Sequence, residues 1–336
     1  MRALISVYDK SGLVELASRL AGLSIELVAS GGTSKALSDA GLPHLSVEDL
    51  TGFPEMFDGR VKTLHPKIHG AILADRSRPQ HMEDLASLGA VPIDIVVSNL
   101  YPFSSNPSIE LIDIGGPTLV RGAAKNSDAV TILVDPSDYD GVIDELTAYG
   151  STTLGTRRRL AAKAFAHTSA YDTAVATWFA SQSGSSTESM TLNLRKIRDL
   201  KYGENPHQVG ALYDTDTPSI WRGAEFLSGP EPSYLNVFDA TAAWHLAHEI
   251  ADAPTVAIIK HANPSGVAVD ADPRVAYRRA FECDPISAFG GIIAFNVPID
   301  ESVAEEILAH PRSDVLLAPS LTSGALAMLS ERRKNC

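Results

Sequence analysis

One short segment of this acidic chain gathers two cations, a hydroxyl and an imidazole: Arg60-Val61-Lys62-Thr63-Leu64-His65-Pro66. Arg offers a planar fork to phosphate and Lys a compact point charge, so the cluster as a whole suits anion recognition. Either cation alone fits better a solvated loop paired with Glu48, Asp49 or Asp58. A second candidate, Ser30-Gly31-Gly32-Thr33, follows an apolar run and opens a helical pattern. Backbone N–H groups and the helix dipole can receive a phosphate at such a junction, although the same residues also suit a tight turn with a hydroxyl cap.

Other residues are chemically able but unremarkable singly. Tyr101, in Asn99-Leu100-Tyr101-Pro102-Phe103, ends an apolar run and could donate to a substrate oxygen or simply pack beneath a proline turn. Asp113 precedes Gly115-Gly116 as a helix cap would, and Lys125-Asn126 closes the next helical stretch. In the second half, Lys260-His261 ends the run TVAII and is followed by Ala262-Asn263-Pro264-Ser265-Gly266. A Lys beside a His favours a neutral imidazole and suits general-base work, while a surface Lys with a capped His reads the same way. His207 has no second His or Cys at zinc spacing, so no metal is assigned.

The elements that must position these residues follow from apolar periodicity. ALISV at 3–7, a helical stripe of Leu13, Ala17, Leu20 and Ala21, and IELVA at 25–29 give strand, helix, strand. The rhythm continues through IDIVVSNL at 93–100, a helix after Gly115-Gly116-Pro117, AVTILV at 129–134 and a helix opened by Asp135-Pro136. This predicts a doubly wound α/β fold with a parallel sheet. A helix over 156–180 places Leu160, Ala164, Tyr171, Val175 and Trp178 on one stripe and stops at the Ser-rich segment SQSGSSTESM. The expected domains are therefore 1–182 and 191–336, joined by a linker at 183–190. In the second, helices near 239–250, 273–281 and 300–309 alternate with the strands TVAII, GIIAFN and DVLLA.

Composition narrows the function classes. With 336 residues and 44% hydrophobic content, the chain can bury at least one sizeable core. A net charge of -13 and the lack of a Lys/Arg-rich block argue against nucleic-acid or anionic-membrane partners. Two distant cysteines, Cys283 and Cys336, form neither a disulfide framework nor a metal motif, and no apolar run nears the roughly 20 residues of a membrane span. A cytoplasmic location is the expectation.

Taken in order, the segments SVYDKSGL, VASGGTSKAL, LTGFPEMFDGRVKTLHPKIHG, NLYPF, IDIGGPTLVRGAAKN and AFAHTSAYD resemble the cyclohydrolase domain of the AICAR transformylase/IMP cyclohydrolase family. LKYGENPHQ, LNVFDATAAW, IIKHANPSGVA and DPISAFGGIIAFN resemble its transformylase domain. The resemblance implies a methylglyoxal-synthase-like fold followed by a partial cytidine-deaminase-like α/β domain without zinc. It implies a nucleotide phosphate and ribose site at Lys10, Ser30, Gly31, Gly32, Thr33, Arg60, Lys62 and Thr63. Asn99, Tyr101, Asp113 and Ile114 would face the base, with Lys62 and Tyr101 stabilising an oxyanion and Lys125 moving protons. In the second domain, Lys201, Tyr202, Gly290 and Asp314 would bind substrate and Lys260 and His261 would act on it.

The implied reactions are ring closure of formyl-AICAR to IMP, which needs no cofactor, and formyl transfer with 10-formyltetrahydrofolate as co-substrate. A homodimer is also implied. Lys201 stands where the family usually has Arg, keeping the charge but losing the fork. The family extends beyond the final SERRKNC, so the second domain is expected to be partial and its transferase activity impaired, with GIIAFN and DVLLA leaving an apolar face in water. Alternatives on the same fold are a non-catalytic nucleotide- or phosphosugar-binding regulatory module and methylglyoxal synthesis.

Overall fold

The apolar runs of the first half become β1 (Arg2–Ser6), β2 (Glu26–Ala29), β3 (Leu45–Ser46), β4 (Ile95–Ser98) and β5 (Thr131–Leu133). They pair in parallel in the order β3-β2-β1-β4-β5. The computed structural model describes residues 1–54, 56–57, 61–183, 190–215 and 219–336, in two units, Met1–Thr191 and Leu192–Cys336. Of the segment expected as a linker, 184–189 lie outside the described residues.

Helices α1 (Leu13–Gly22), α2 (Gly31–Asp39), α3 (Val47–Thr51), α4 (Pro66–Leu73), α5 (Pro79–Ser87), α6 (Gly115–Lys125), α7 (Tyr139–Tyr149) and α8 (Leu154–Ser183) complete the first unit. Because the sheet is wound with helices, its central strands read as continuous apolar runs: Leu4, Ile5, Val96 and Val97 have no exposed surface. Burying each such side chain contributes about 1.5–3 kcal/mol. The α1 stripe buries Leu13, Ala17 and Leu20 as its spacing predicts, together with Leu16. Helix α8 buries Leu160, Ala164 and Tyr171 and packs Val175 and Trp178 against the same core, with the Trp178 ring edge-on to Phe103 at 5.8 Å.

Strand order reverses about β1: the chain leaves it for β2 and β3 on one side and returns to β4 and β5 on the other. The crevice beyond the carboxyl ends of β1 and β4 is thus a topological switch point, where open parallel sheets bind ligands. The loops after β1, β2 and β4 carry Lys10, Ser30 and Tyr101 to that edge.

In the second unit, β6 (Arg195–Leu200) and β7 (Gly210–Asp214) form a hairpin. The main sheet, of order β11-β10-β8-β9, uses β8 (Thr255–Lys260), β9 (Asn263–Val269), β10 (Ile292–Phe295) and β11 (Val315–Leu317). Only β10 and β11 are parallel. Helices α9 (Tyr234–Glu249), α10 (Pro273–Cys283), α11 (Glu301–Ala309) and α12 (Ser323–Arg332) cover it. Ala257, Ile259, Ile292 and Ala294 cluster with Ala240, Ala243 and Ala247 of α9, whereas Val256, Ile258, Ile293 and Phe295 cluster with residues of α10, α11 and α12. This corrects the expectation of a bare apolar face. GIIAFN is buried on both sides because α9 takes one face and three helices take the other, and β11 is half-buried. No helix among the described residues is long and apolar enough to cross a membrane.

Candidate active site

Strand β2 runs into Ser30, an extended N-cap residue whose hydroxyl makes no cap bond and lies 3.5 Å from Ser6 Oγ. Gly31 follows at φ +49, and a Cβ there would stand 2.8 Å from Lys62 Nζ, so both backbone and space call for glycine. A Cβ on Gly32 would be 3.7 Å from Lys10 Nζ, which also donates to the Tyr8 carbonyl at 3.2 Å. Two ammonium groups therefore flank the first turn of α2, where the leading amides have no acceptor within the helix. Cations, helix dipole and backbone N–H groups there are an arrangement suited to receiving an oxyanion. Thr33 departs from its expected ligand-facing role. Its buried hydroxyl accepts from Val7 N at 3.1 Å and donates to Val7 O at 3.2 Å, tying α2 to the end of β1.

The RVKTLHP segment splits its work. Arg60 lies outside the described residues. His65 caps α4, its Nδ1 accepting the Lys67 amide at 3.1 Å, with Pro66 at the first helical position. It is thus spent on structure. Thr63 is buried, with Oγ1 3.1 Å from where a Cβ on Gly115 would lie, so the starts of α4 and α6 meet.

At the head of α6, Asp113 Oδ1 accepts the Gly116 amide at 2.8 Å. Its own amide donates to Tyr171 Oη at 2.7 Å, and that hydroxyl donates to the Leu111 carbonyl at 2.7 Å. Burial raises the Asp113 pKa above the usual carboxylate value, with the Gly116 N–H pulling the other way. Tyr101 is also pushed up, by burial first, then by the Asp113 carboxylate and Tyr8. Its ring meets that of Tyr8 edge-on at 5.4 Å. Phenol and carboxyl are neighbours that each hold a proton harder than in water, an arrangement suited to donating hydrogen bonds to a developing oxyanion and passing protons.

Asn99 makes three bonds to the loop after β1: Oδ1 accepts from Tyr8 N at 2.7 Å and Asp9 N at 3.0 Å, and Nδ2 donates to Asp9 O at 2.9 Å. It fixes the loop that carries Lys10, which departs from the base-facing role implied by resemblance. Ile114, 58% exposed, precedes α6 and offers an apolar surface at the crevice. Lys125 closes the 11-residue α6, about 15 Å of helical rise from Gly115.

In the second unit, Lys260 and Asn263 pair across a two-residue turn in which His261 (φ 52) and Ala262 (φ 60) are both left-handed. This is the type I′ sign pattern that suits a twisted hairpin but costs non-glycine residues about 1–2 kcal/mol each. Lys260 Nζ donates to Gly290 O at 2.8 Å and Phe289 O at 3.3 Å. A Cβ on Gly290 (φ +66) would lie 3.2 Å from Lys260 Nζ and 3.6 Å from Asp314 Oδ1, so Lys260, Gly290 and Asp314 converge. Asp314 also lines a cavity of about 820 Å³ with Lys201, Tyr202, Trp221 and Trp244. The Lys201 ammonium is 5.7 Å from the Tyr202 ring centroid. Among the described residues, no group of three or more His, Cys, Asp or Glu is placed to hold a metal ion.

Residues 123–336 match the family described as AICARFT/IMPCHase bienzyme, and residues 12–118 match the MGS-like domain. The chain belongs to the AICARFT/IMPCHase bienzyme family. The bifunctional purine biosynthesis protein PurH of Rhodospirillum rubrum is 50% identical over 99% of this chain and 65% of that protein. The chain thus spans about two thirds of that relative's length. The crystal structure of ForH is similar with 38% identity and a TM-score of 0.50, covering 53% of this chain and 98% of that one. The methylglyoxal-synthase-like parallel α/β fold of the first unit agrees with the resemblance.

Within this family frame, three residues escape reading by motif. Tyr171 sits on the α8 core stripe, and nothing in spacing tells that its hydroxyl reaches Asp113. His69 lies one turn after His65, with its pKa lowered by burial against a hydrogen bond to the Thr63 backbone, and its Nε2 is buried without a partner. The pair His65 and His69 at i, i+4 was the available signal. Asp239, inside LNVFDATAAW, is a buried carboxylate that bonds the His261 turn.

Proposed function

We propose that the first unit is an IMP cyclohydrolase, closing the ring of formyl-AICAR. The observation that carries this reading is the placement of Lys10 and Lys62 about the Gly31-Gly32 turn in a unit that also pairs Tyr101 with Asp113. The nucleotide phosphate docks on the α2 turn between the two ammonium groups, with Ser30 and Thr63 on the ribose side. The carboxamide nitrogen attacks the formyl carbon, forming the C–N bond and a tetrahedral oxyanion. Tyr101 and Lys62 stabilise that oxyanion; the attacking nitrogen loses one proton and the formamide nitrogen the other, the former formyl oxygen takes up both, its bond to carbon breaks, and water leaves as the ring C=N forms. The amide is a poor nucleophile, so holding a cyclisation-ready conformer matters as much as acid–base chemistry. Lys125, at the end of α6, moves protons in this reading, with Tyr101 and Asp113 as further proton carriers.

In the second unit we assign Lys260 and His261 to formyl transfer. The AICAR amine attacks the formyl carbon of 10-formyltetrahydrofolate, the bond from that carbon to the folate nitrogen breaks, His261 takes the amine proton and the folate nitrogen is protonated. Asp314, Gly290, Tyr202 and Lys201 would receive the nucleotide, and a second copy of the chain is the proposed partner.

The test is direct. Formyl-AICAR added to the protein should give the ultraviolet spectrum of hypoxanthine, and Lys62→Ala should slow its appearance; an unchanged rate overturns the assignment. Folate deformylation with AICAR reads the second reaction, and sedimentation reads self-association.

A further inference from the structure

The hairpin that presents His261 is held from below by one buried side chain. Asp239, on α9, is 7% exposed; its Oδ2 accepts the His261 amide at 3.0 Å and its Oδ1 the Ala262 amide at 2.7 Å. Both amides belong to the two left-handed residues of the turn. The carbonyl of His261 is tied as well, accepting from Asn263 Nδ2 at 2.8 Å. The imidazole, by contrast, is exposed and makes no hydrogen bond to a described residue. The backbone is pinned on both sides while the ring is left to solvent.

A turn needed only to connect β8 and β9 would be served by glycine or asparagine at these positions, which adopt positive φ cheaply. This chain places His and Ala there and buries a carboxylate to hold them. A carboxylate suits the task because both oxygens only accept, so the two adjacent N–H groups are satisfied together; a carboxamide would turn an NH₂ toward one of them. Fixing φ at His261 fixes the direction of its Cβ and hence the arc the imidazole can sweep.

We propose that Asp239 is a positioning residue for His261: by clamping the two left-handed amides of the turn it sets where the imidazole meets the amine of the nucleotide. The consequence for formyl transfer rests on reading Lys260 and His261 as its catalytic pair; the conformational consequence does not.

The variants are Asp239→Asn, Ala262→Gly and the two combined, with His261→Ala as a control, all in the full chain. The conformational readout is NMR of the His261 and Ala262 backbone, where left-handed residues show strong intraresidue HN–Hα cross-peaks and displaced Cα shifts. The kinetic readout is kcat and KM for AICAR in folate deformylation. Asp239→Asn is expected to lose the left-handed signature and to lower kcat about tenfold or more while KM stays within about threefold. Ala262→Gly, which removes the conformational penalty at that residue, should restore much of both in the combined variant. If Asp239→Asn alone fails to fold, the combined variant carries the comparison against Ala262→Gly. Retention of the left-handed signature in Asp239→Asn alone overturns the proposal, as does a rise in KM with kcat unchanged in that variant. Should His261→Ala transfer formyl at the normal rate, the catalytic reading fails instead, and the NMR signature still decides whether Asp239 sets the turn.

Discussion

The Tyr171 hydroxyl accepts the Asp113 amide at 2.7 Å and donates to the Leu111 carbonyl at the same distance. A helix that otherwise buries apolar surface thereby fixes the loop that carries the Asp113 carboxyl into the crevice. Tyr171→Phe keeps the ring against Phe103 and removes only this bridge. Leaving a partly buried amide and carbonyl without it should cost about 1–3 kcal/mol of first-unit stability. Ring closure should slow by about tenfold through kcat. Calorimetry and steady-state rates check both, and wild-type kcat in the variant would sever the link between α8 and the site.

Asp113→Asn separates stability from function. Burial raises the carboxyl's pKa in the folded state, so its contribution to stability is full below the ordinary carboxylate value and is lost as pH rises through the raised one. Asn still accepts from Gly116 without ionising. At about pH 7 the variant should therefore resist denaturant better than the parent, with the gain shrinking as pH falls through the carboxylate range. Ring closure should fall about 10²-fold or more. Denaturant midpoints across pH and the rate at one pH read the two effects.

At Gly31 the expected damage falls on binding. An alanine there strains φ +49 and pushes on Lys62 Nζ, which can swing away at the end of its flexible chain. The folding cost should be about 1 kcal/mol or somewhat more. Displacing that ammonium from the α2 turn should raise KM for the nucleotide about tenfold and, because Lys62 also serves the oxyanion, lower kcat. An unchanged KM would show that Lys62 takes no part in holding the phosphate.

An exposed ion network gives a prediction in the opposite pH direction. Asp135 is lowered to about 2, by its hydrogen bond from Lys163 first and then the Ser137 amide. Its contribution is present above the ordinary carboxylate value and lost as pH falls toward about 2. Lys163→Met should lower the first unit's melting temperature slightly near neutrality, less so in strong acid, and less again at high salt, which screens exposed pairs. A difference that grows on acidification would contradict this account.

What the sequence made legible was whatever leaves a period or a run. The strands β1, β2, β4 and β5 stand where apolar runs placed them, and the Ser-Gly-Gly-Thr turn opens a helix. Strand β9 leaves no such run, since Asn263-Pro264-Ser265-Gly266 has turn composition; it is an edge strand, where proline is tolerated. Asp239 and the Tyr171 hydroxyl were invisible for a different reason. Each acts across 22 to 60 residues of chain, and pairings at that range leave no spacing to read. Thr33 and Asn99 carried the right chemistry for a ligand, but the backbone of residues 7–9 claims it first.

The bridge from Tyr171 to Asp113 spans 58 residues, and this sets a schedule for the newly made chain. A ribosome adding about 5–20 residues each second takes about 3–12 s to travel that distance. Throughout that interval the phosphate turn, both lysines and the head of α6 already exist as polypeptide, while the tyrosine that steadies Asp113 has yet to be made. In the nascent first unit the residues proposed to hold the phosphate are thus all synthesised before the side chain that steadies Asp113.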